Sequence, residues 1–144
     1  MNWKNEATEK LKRYSTMRVS LENLRDEIKR LELESRSIRC ACVDGVSVKT
    51  SGGQKDVLLN NLIKKQEVKD SLHRTKLWLS CTDRALESLS EEERMLLREM
   101  YIYPQKGSMQ NLCVRLGVEQ SSVYRRRDAA LEHFTQALYG YGAL

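Results

Sequence analysis

The stretch LCVRLGVEQSSV, residues 112–123, contains the most informative spacing in the chain. Its first half supplies two large apolar side chains and one small one at helical spacing: Leu112, Leu116 and Cys113. Gly117 then permits the left-handed backbone conformation of a tight turn. Val118 and Val123 follow at positions from which both can pack back onto the first helix. The pattern predicts two helices joined by a turn of about three to four residues, a helix-turn-helix.

A further helix is predicted just upstream of this unit. In the run Ser90-Glu91-Glu92-Glu93, serine is the expected N-cap, Glu93 occupies the capping-box position, and three carboxylates face the positive end of the helix dipole. The expected core side of this helix is formed by Met95, Leu96, Leu97, Met100 and Tyr101. Residues 103–107 (YPQKG) break the helix, and Ser108 is predicted to cap the next one.

The first part of the chain, residues 3–38, fits the seven-residue repeat of a coiled coil. One position of the repeat holds Ala7, Tyr14, Leu21, Ile28 and Ser35, and the other holds Trp3, Lys10, Met17, Leu24, Leu31 and Ile38. Such a helix either packs within its own chain or pairs with a second copy, and the pattern leaves both interpretations open.

We predict that this helix stops after Cys42, because residues 44–45 (DG) and 50–53 (TSGG) are turn formers. Val46 and Val48 alternate with polar residues, which is consistent with a short extended piece. A second helix is predicted from about Lys55 to Leu89. Its apolar face holds Leu58, Leu62, Leu72, Leu79 and Leu86, flanked by Leu59, Ile63, Val68 and Leu77.

Polar residues on the second helix indicate how it packs. Lys65, Lys69, Lys76 and Asp83 occupy seam positions, which favours packing on the first helix as an antiparallel hairpin. The sequence therefore predicts an all-α fold. Residues 1–89 are predicted to form a helical hairpin or coiled-coil arm, in which a Gly/Ser loop joins two long helices. Residues 90–144 are predicted to form a helix-turn-helix domain.

Composition supports this class and limits the functions to consider. Charged residues make up 31% of the chain, aromatic residues 6%, and there is one proline, a balance typical of long solvated helices. The net charge of +5 fits an anionic partner. From Ser90 onward, lysines and arginines are balanced by as many carboxylates, so the positive excess lies upstream.

Other side chains argue against a metal site, a membrane span and catalysis. The cysteines are Cys40, Cys42, Cys81 and Cys113, and the chain opens without the apolar run of a signal peptide, which predicts a reducing cytoplasm. Zinc sites need a second ligand pair, whereas His73 and His133 stand alone. No apolar stretch approaches the roughly 20 residues of a membrane helix. Without paired carboxylates or a nucleophile with its base, we expect neither an enzyme nor a cofactor.

The last third of the chain resembles region 4 of bacterial sigma factors. The likeness runs from Leu89-Ser90-Glu91-Glu92-Glu93-Arg94 through Leu116-Gly117-Val118 to Ala130-Leu131. Glu119 departs from it, because turns of this type usually place serine or threonine there as the N-cap; Ser121 or Ser122 would have to take that role.

A narrower likeness reaches the rest of the chain. The helical first half, the loop at residues 48–53 and the segment from Val123-Tyr124-Arg125-Arg126 to Ala130-Leu131 and Phe134 resemble small phage transcriptional regulators of the ArpU and RinA type. This resemblance implies a phage or prophage origin, a bacterial cytoplasmic setting and activation of late phage genes.

The candidate DNA-contacting residues lie on the helix that follows the turn, from about Glu119 or Gln120. They are Gln120, Ser121, Ser122, Tyr124, Arg125, Arg126 and Arg127. Helical spacing turns Gln120 and Arg125 outward near the helix start, where side chains enter the major groove of double-stranded DNA. Glutamine suits adenine and arginine suits guanine or phosphate, while the serines and the other two arginines suit the backbone.

These residues predict a sequence-specific DNA-binding transcription regulator. Because one recognition helix has a modest footprint, we also expect a homodimer. Two other interpretations stay open: a small terminase-like subunit that packages DNA, and a sigma-like adaptor that binds host RNA polymerase.

Overall fold

The computed structural model describes residues 2–43 and 51–143, and within these ranges the protein is all-α, as predicted. The five helices are α1 (Trp3–Val43), α2 (Ser51–Glu87), α3 (Glu91–Leu97), α4 (Ser108–Leu116) and α5 (Gln120–Tyr139). A π-helical turn (Arg98–Ile102) extends α3, and a 3-10 turn (Tyr141–Ala143) follows α5. In the part of the chain that the structure describes, no helix is both long and apolar enough to span a membrane.

The chain forms two compact units. Unit 1 comprises Met1–Arg18 and Trp78–Leu144, and unit 2 comprises Val19–Leu77. α1 and α2 each contribute to both units. These two units do not coincide with the domains predicted from the sequence, residues 1–89 and 90–144. The domain boundary between residues 89 and 90 stays a prediction.

In unit 2 the repeat on α1 packs against α2 of the same chain. Leu31 is 1% exposed and Ser35 is also buried. Asn61 on α2 is buried as well, and its Nδ2 donates a hydrogen bond to the Leu31 carbonyl at 3.2 Å. Of the two interpretations of the coiled-coil pattern, packing within the chain is therefore the one observed in this unit.

The buried face of α2 agrees with the predicted one except near its middle: Leu79 and Leu86 are buried, and Leu58 and Leu72 are half-buried. Leu62, expected in the core, is 43% exposed, and its predicted flanks Leu59, Ile63 and Leu77 are exposed too. Asn61 and Lys65 lie on the inner side instead, where the Lys65 Nζ is 3.3 Å from Glu32 Oε1. At this point of the helix pair, the register with α1 therefore places Asn61 inward and Leu62 outward.

The start of α2 also corrects the sequence analysis. The helix begins at Ser51, so Gly52 and Gly53 lie in its first turn rather than in a loop. Glycine costs about 1 kcal/mol in a helix interior, but a helix of this length tolerates it near an end. The possible extended piece at Val46 and Val48 lies outside the described residues.

In unit 1 the buried residues of α1 are Ala7, Leu11 and Tyr14. Leu11 takes the place predicted for Lys10, whose Nζ instead lies 5.7 Å from the ring centroid of Trp78 and 5.5 Å from that of Tyr139. The Tyr139 ring also packs on Trp3, with 4.8 Å between centroids. The beginning of α1 is thus tied to the end of α5.

Candidate nucleic-acid interface

The three C-terminal helices enclose a small core that fixes the orientation of α5. Leu96 of α3, Leu112 of α4 and Val123 of α5 are all fully buried. Around them lie the half-buried side chains of Met95, Met100, Met109, Cys113, Leu116 and Val118. The burial predicted for Leu112 and Val123 is confirmed. Because Val123 is held inward, the side chains on the opposite side of α5 face solvent.

A three-residue connection, Gly117-Val118-Glu119, joins α4 to α5. Gly117 has φ +63°, in the left-handed region that the sequence analysis required of it. The Cys113 carbonyl accepts both the Gly117 amide and, at 3.2 Å, the Val118 amide, which closes the end of α4.

The N-terminus of α5 begins without a side-chain cap. Glu119 is the N-cap residue, but its side chain makes no capping bond, and neither Ser121 nor Ser122 replaces it in that role. The Glu119 carbonyl instead accepts the amides of Ser122 and Val123, at 3.0 and 3.1 Å. The first amides of α5 therefore remain available to solvent or to an anionic group.

Five of the seven predicted contact residues lie exposed on α5: Gln120, Ser121, Tyr124, Arg125 and Arg126. Ser122 and Arg127 are half-buried. The structure brings Gln120 and Tyr124 together, with 3.4 Å between Gln120 Nε2 and the Tyr124 hydroxyl. The Arg127 guanidinium lies over the Tyr124 ring, 4.8 Å from its centroid.

The three consecutive arginines differ in their partners. Arg126 Nη1 lies 2.5 Å from Glu92 Oε1 on α3, and Arg127 Nη2 lies 2.7 Å from Asp128 Oδ1. Arg125 is exposed and makes no ion pair with any residue that the structure describes. Of this run, Arg125 is accordingly the side chain whose charge is least compensated.

Glu92 is a neighbour of the candidate site that the sequence does not predict. From the sequence, Glu92 is expected only to face the positive end of the helix dipole. The spacing of 34 residues between Glu92 and Arg126 carries no local signal, so only the packing of α3 on α5 reveals the pair.

Glu93, by contrast, forms the predicted capping box, which is confirmed. The Ser90 amide donates to Glu93 Oε2 at 3.0 Å, and the Glu93 amide donates to Ser90 Oγ at 3.2 Å. The other carboxylate oxygen lies 2.5 Å from His133 Nδ1 on α5. Desolvation raises the pKa of Glu93, but the Ser90 amide and His133 favour the carboxylate more strongly, so the pKa falls below its usual range overall.

Among the described residues, no group of three or more histidine, cysteine, aspartate or glutamate side chains is arranged to hold a metal ion. Cys40, Cys81 and Cys113 are free thiols, and the side chain of Cys42 lies outside the described residues. No protein-family model, curated protein or solved structure matches the chain.

Proposed function

We propose that the chain is a sequence-specific DNA-binding transcription regulator without enzymatic activity, and that α5 reads the major groove. The observation that carries this proposal is the arrangement of α5. Val123 is fully buried in the core with α3 and α4, while Gln120, Ser121, Tyr124 and Arg125 project from the first turns into solvent.

The exposed side chains suit the edges of base pairs. The Gln120 side-chain amide can form two hydrogen bonds with the major-groove edge of adenine, one to N7 and one from N6. The Arg125 guanidinium can donate to the two acceptors of guanine, O6 and N7. Ser121 and the uncapped amides of α5 suit a phosphate of the backbone.

Arg126 and Arg127 fit a lesser role in this proposal. A phosphate contact by either one replaces an existing carboxylate partner, so its net gain is smaller than that of an uncompensated charge. We assign them to backbone contacts that add affinity without sequence preference.

The resemblance to sigma region 4 and to ArpU- and RinA-type regulators supports a more specific role. On this basis we propose an activator of late phage genes that acts in the cytoplasm of a bacterial host. Its partners would be double-stranded DNA and, in activation, host RNA polymerase.

Binding-site selection from a random duplex library, followed by affinity measurements on the selected sequence, tests this proposal. We expect Gln120→Ala and Arg125→Ala each to cost about 1 to 3 kcal/mol on the selected site and to relax its sequence preference. Arg36→Ala, an exposed arginine of α1, is the matched control and should bind the selected site nearly as the unmodified chain does.

Other outcomes would favour the rival functions. If both α5 variants keep their helicity and bind selected DNA normally, α5 does not read the DNA sequence. If the unmodified chain binds no DNA even at low salt, an adaptor that binds RNA polymerase is favoured. Ring-sized assemblies on DNA would instead favour a terminase-like packaging subunit.

A further inference from the structure

The outward face of α2 in unit 2 carries three neighbouring apolar side chains that are exposed to solvent. Leu59 is 55% exposed, Leu62 43% and Ile63 51%. These side chains point away from α1, because successive residues of a helix are rotated by about 100° and Leu58, Asn61 and Lys65 occupy the inner side. We define the outer face of α2 as Lys55, Asp56, Leu59, Leu62, Ile63, Gln66, Lys69 and Asp70.

This outer face is complementary to itself when read in the opposite direction. Consider an antiparallel dimer whose twofold axis passes midway between Leu62 and Ile63. In that dimer, Leu62 of each copy faces Ile63 of the other. The same register places Leu59 opposite Gln66, Lys55 opposite Asp70, and Asp56 opposite Lys69. An apolar centre is thus flanked on both sides by pairs of opposite charge.

The charges at the two ends of the face are exposed and available for such pairing. Lys55, Asp56 and Lys69 form no ion pair among the residues that the structure describes. Asp70 accepts a hydrogen bond from Gln66 Nε2 at 2.9 Å, which leaves its second carboxylate oxygen for another donor. A parallel copy in the same register would place each charged side chain beside the identical side chain of the other copy. Repulsion between like charges disfavours that arrangement.

We propose that a second copy of this chain binds along the outer face of α2, with the two α2 helices antiparallel across a twofold axis. The repeat on α1, the other surface suited to self-association, is already occupied by α2 in unit 2. Isologous contact through one self-complementary face is the usual way in which homodimers close.

The length of the face sets the expected strength. From Lys55 to Asp70 it spans about 22 Å at a rise of about 1.5 Å per residue. Such a contact buries less than the roughly 800 Å² per partner of a standard interface, so the dimer should dissociate in the micromolar range.

Sedimentation of the DNA-free full chain over a range of concentrations provides the first test. Leu62→Glu and Ile63→Glu should each weaken self-association at least about tenfold, because each places two carboxylates at the centre of the dimer. Val19→Glu is the matched control: Val19 is 60% exposed on α1, and its substitution should leave the dimer unchanged. Circular dichroism verifies that all three variants remain helical.

Charge reversal tests the antiparallel register itself. Lys55→Glu and Asp70→Lys each create two like-charge contacts per dimer and should each shift the chain toward monomer. An equimolar mixture of the two variants restores both ion pairs in the heterodimer, so we expect association to return. If the mixture remains monomeric, or if either variant alone associates as the unmodified chain does, the proposed register is wrong.

Self-association is measured without DNA, so this inference and the proposed function fail separately. A chain that stays monomeric up to about 100 μM, well above the expected dissociation constant, would overturn the inference whether or not it binds DNA. A dimer that loses association in the Leu62→Glu variant but binds no DNA would leave the inference standing and remove only the proposed function.

Discussion

Glu93 connects the start of α3 to α5 through both of its carboxylate oxygens. One accepts the Ser90 amide at 3.0 Å, which closes the capping box, and the other lies 2.5 Å from His133 Nδ1. The carboxyl is only partly exposed, with 21% of the side chain accessible. Its lowered pKa means that the folded chain favours the charged form.

A dependence of stability on pH follows from this shift. Since the folded pKa of Glu93 is depressed, its contribution is fully present above the pKa of the unfolded chain and is lost as the pH falls through the folded pKa. Glu93→Gln should therefore lower the free energy of unfolding near pH 7 by about 0.5 to 1 kcal/mol, while keeping a capping amide. At a pH below the folded pKa of Glu93, where the carboxyl is protonated in both states, the difference between the two proteins should largely disappear.

Urea denaturation at the two pH values measures this effect. Glu91→Gln is the control, because Glu91 is exposed in the same helical turn and takes no part in the capping box. An equal loss of stability for Glu93→Gln at both pH values would show that the charge of Glu93 does not matter.

Capping residues show how far local sequence can predict structure. The box at Ser90 and Glu93 depends only on a three-residue spacing and was predicted correctly. Ser108, predicted to cap α4, is instead its first helical residue, and Gly107 at φ +79° is the N-cap. The Ser108 hydroxyl is occupied by Gln105, donating to its carbonyl at 2.7 Å and accepting its amide at 3.1 Å. That outcome depends on the path of the preceding loop, which residue preferences do not specify.

At the scale of the helices, α5 depends on a single deeply buried valine near its start. Val123 is fully buried between Leu96 and Leu112, whereas Val114 on α4 is 82% exposed. The two positions allow the same substitution to be compared in opposite environments.

We expect Val123→Ala to lower the free energy of unfolding by about 2 kcal/mol, because two buried methyl groups are lost and a cavity remains. Val114→Ala should change it by less than about 0.5 kcal/mol. Thermal unfolding followed by circular dichroism gives both values. Similar effects of the two substitutions would contradict the assignment of Val123 to the core.

The helices also show why some of the candidate site escaped prediction. Burial of Leu112 and Val123 follows from the spacing within α4 and α5, so the exposed side of α5 was predictable. The middle of the inner face of α2 was not, because its register with α1 places Asn61 inward and Leu62 outward. Pairing of Arg126 with Glu92 likewise arises only when α3 and α5 are packed together.

For the whole molecule, the notable feature of unit 1 is that it is formed from both ends of the described chain. Leu11 of α1 is fully buried in this unit, while Leu33, on the same helix but in unit 2, is 62% exposed. Both tryptophans of the chain, Trp3 and Trp78, belong to unit 1. Tryptophan fluorescence therefore reports on the unfolding of this unit.

Leu11→Ala should destabilise unit 1 by about 2 to 5 kcal/mol, the usual cost of removing a buried leucine side chain. The fluorescence transition should move to lower denaturant concentration. Leu33→Ala, the matched control, should shift it by less than the equivalent of about 0.5 kcal/mol. A fluorescence transition that moves equally in both variants would show that Leu11 does not support unit 1.

The contact between Lys4 and Glu132, 128 residues apart in sequence, has a consequence for the growing polypeptide. The start of α1 leaves the ribosome before α5 does, so Trp3 and Lys4 lack their partners Tyr139 and Glu132 until α5 has been translated. Native contacts of such long sequence separation form slowly, and domains fold as units during synthesis. Unit 1 therefore completes its folding only after α5 has been translated, and until then the apolar side chains at the start of α1 remain accessible to chaperones and proteases.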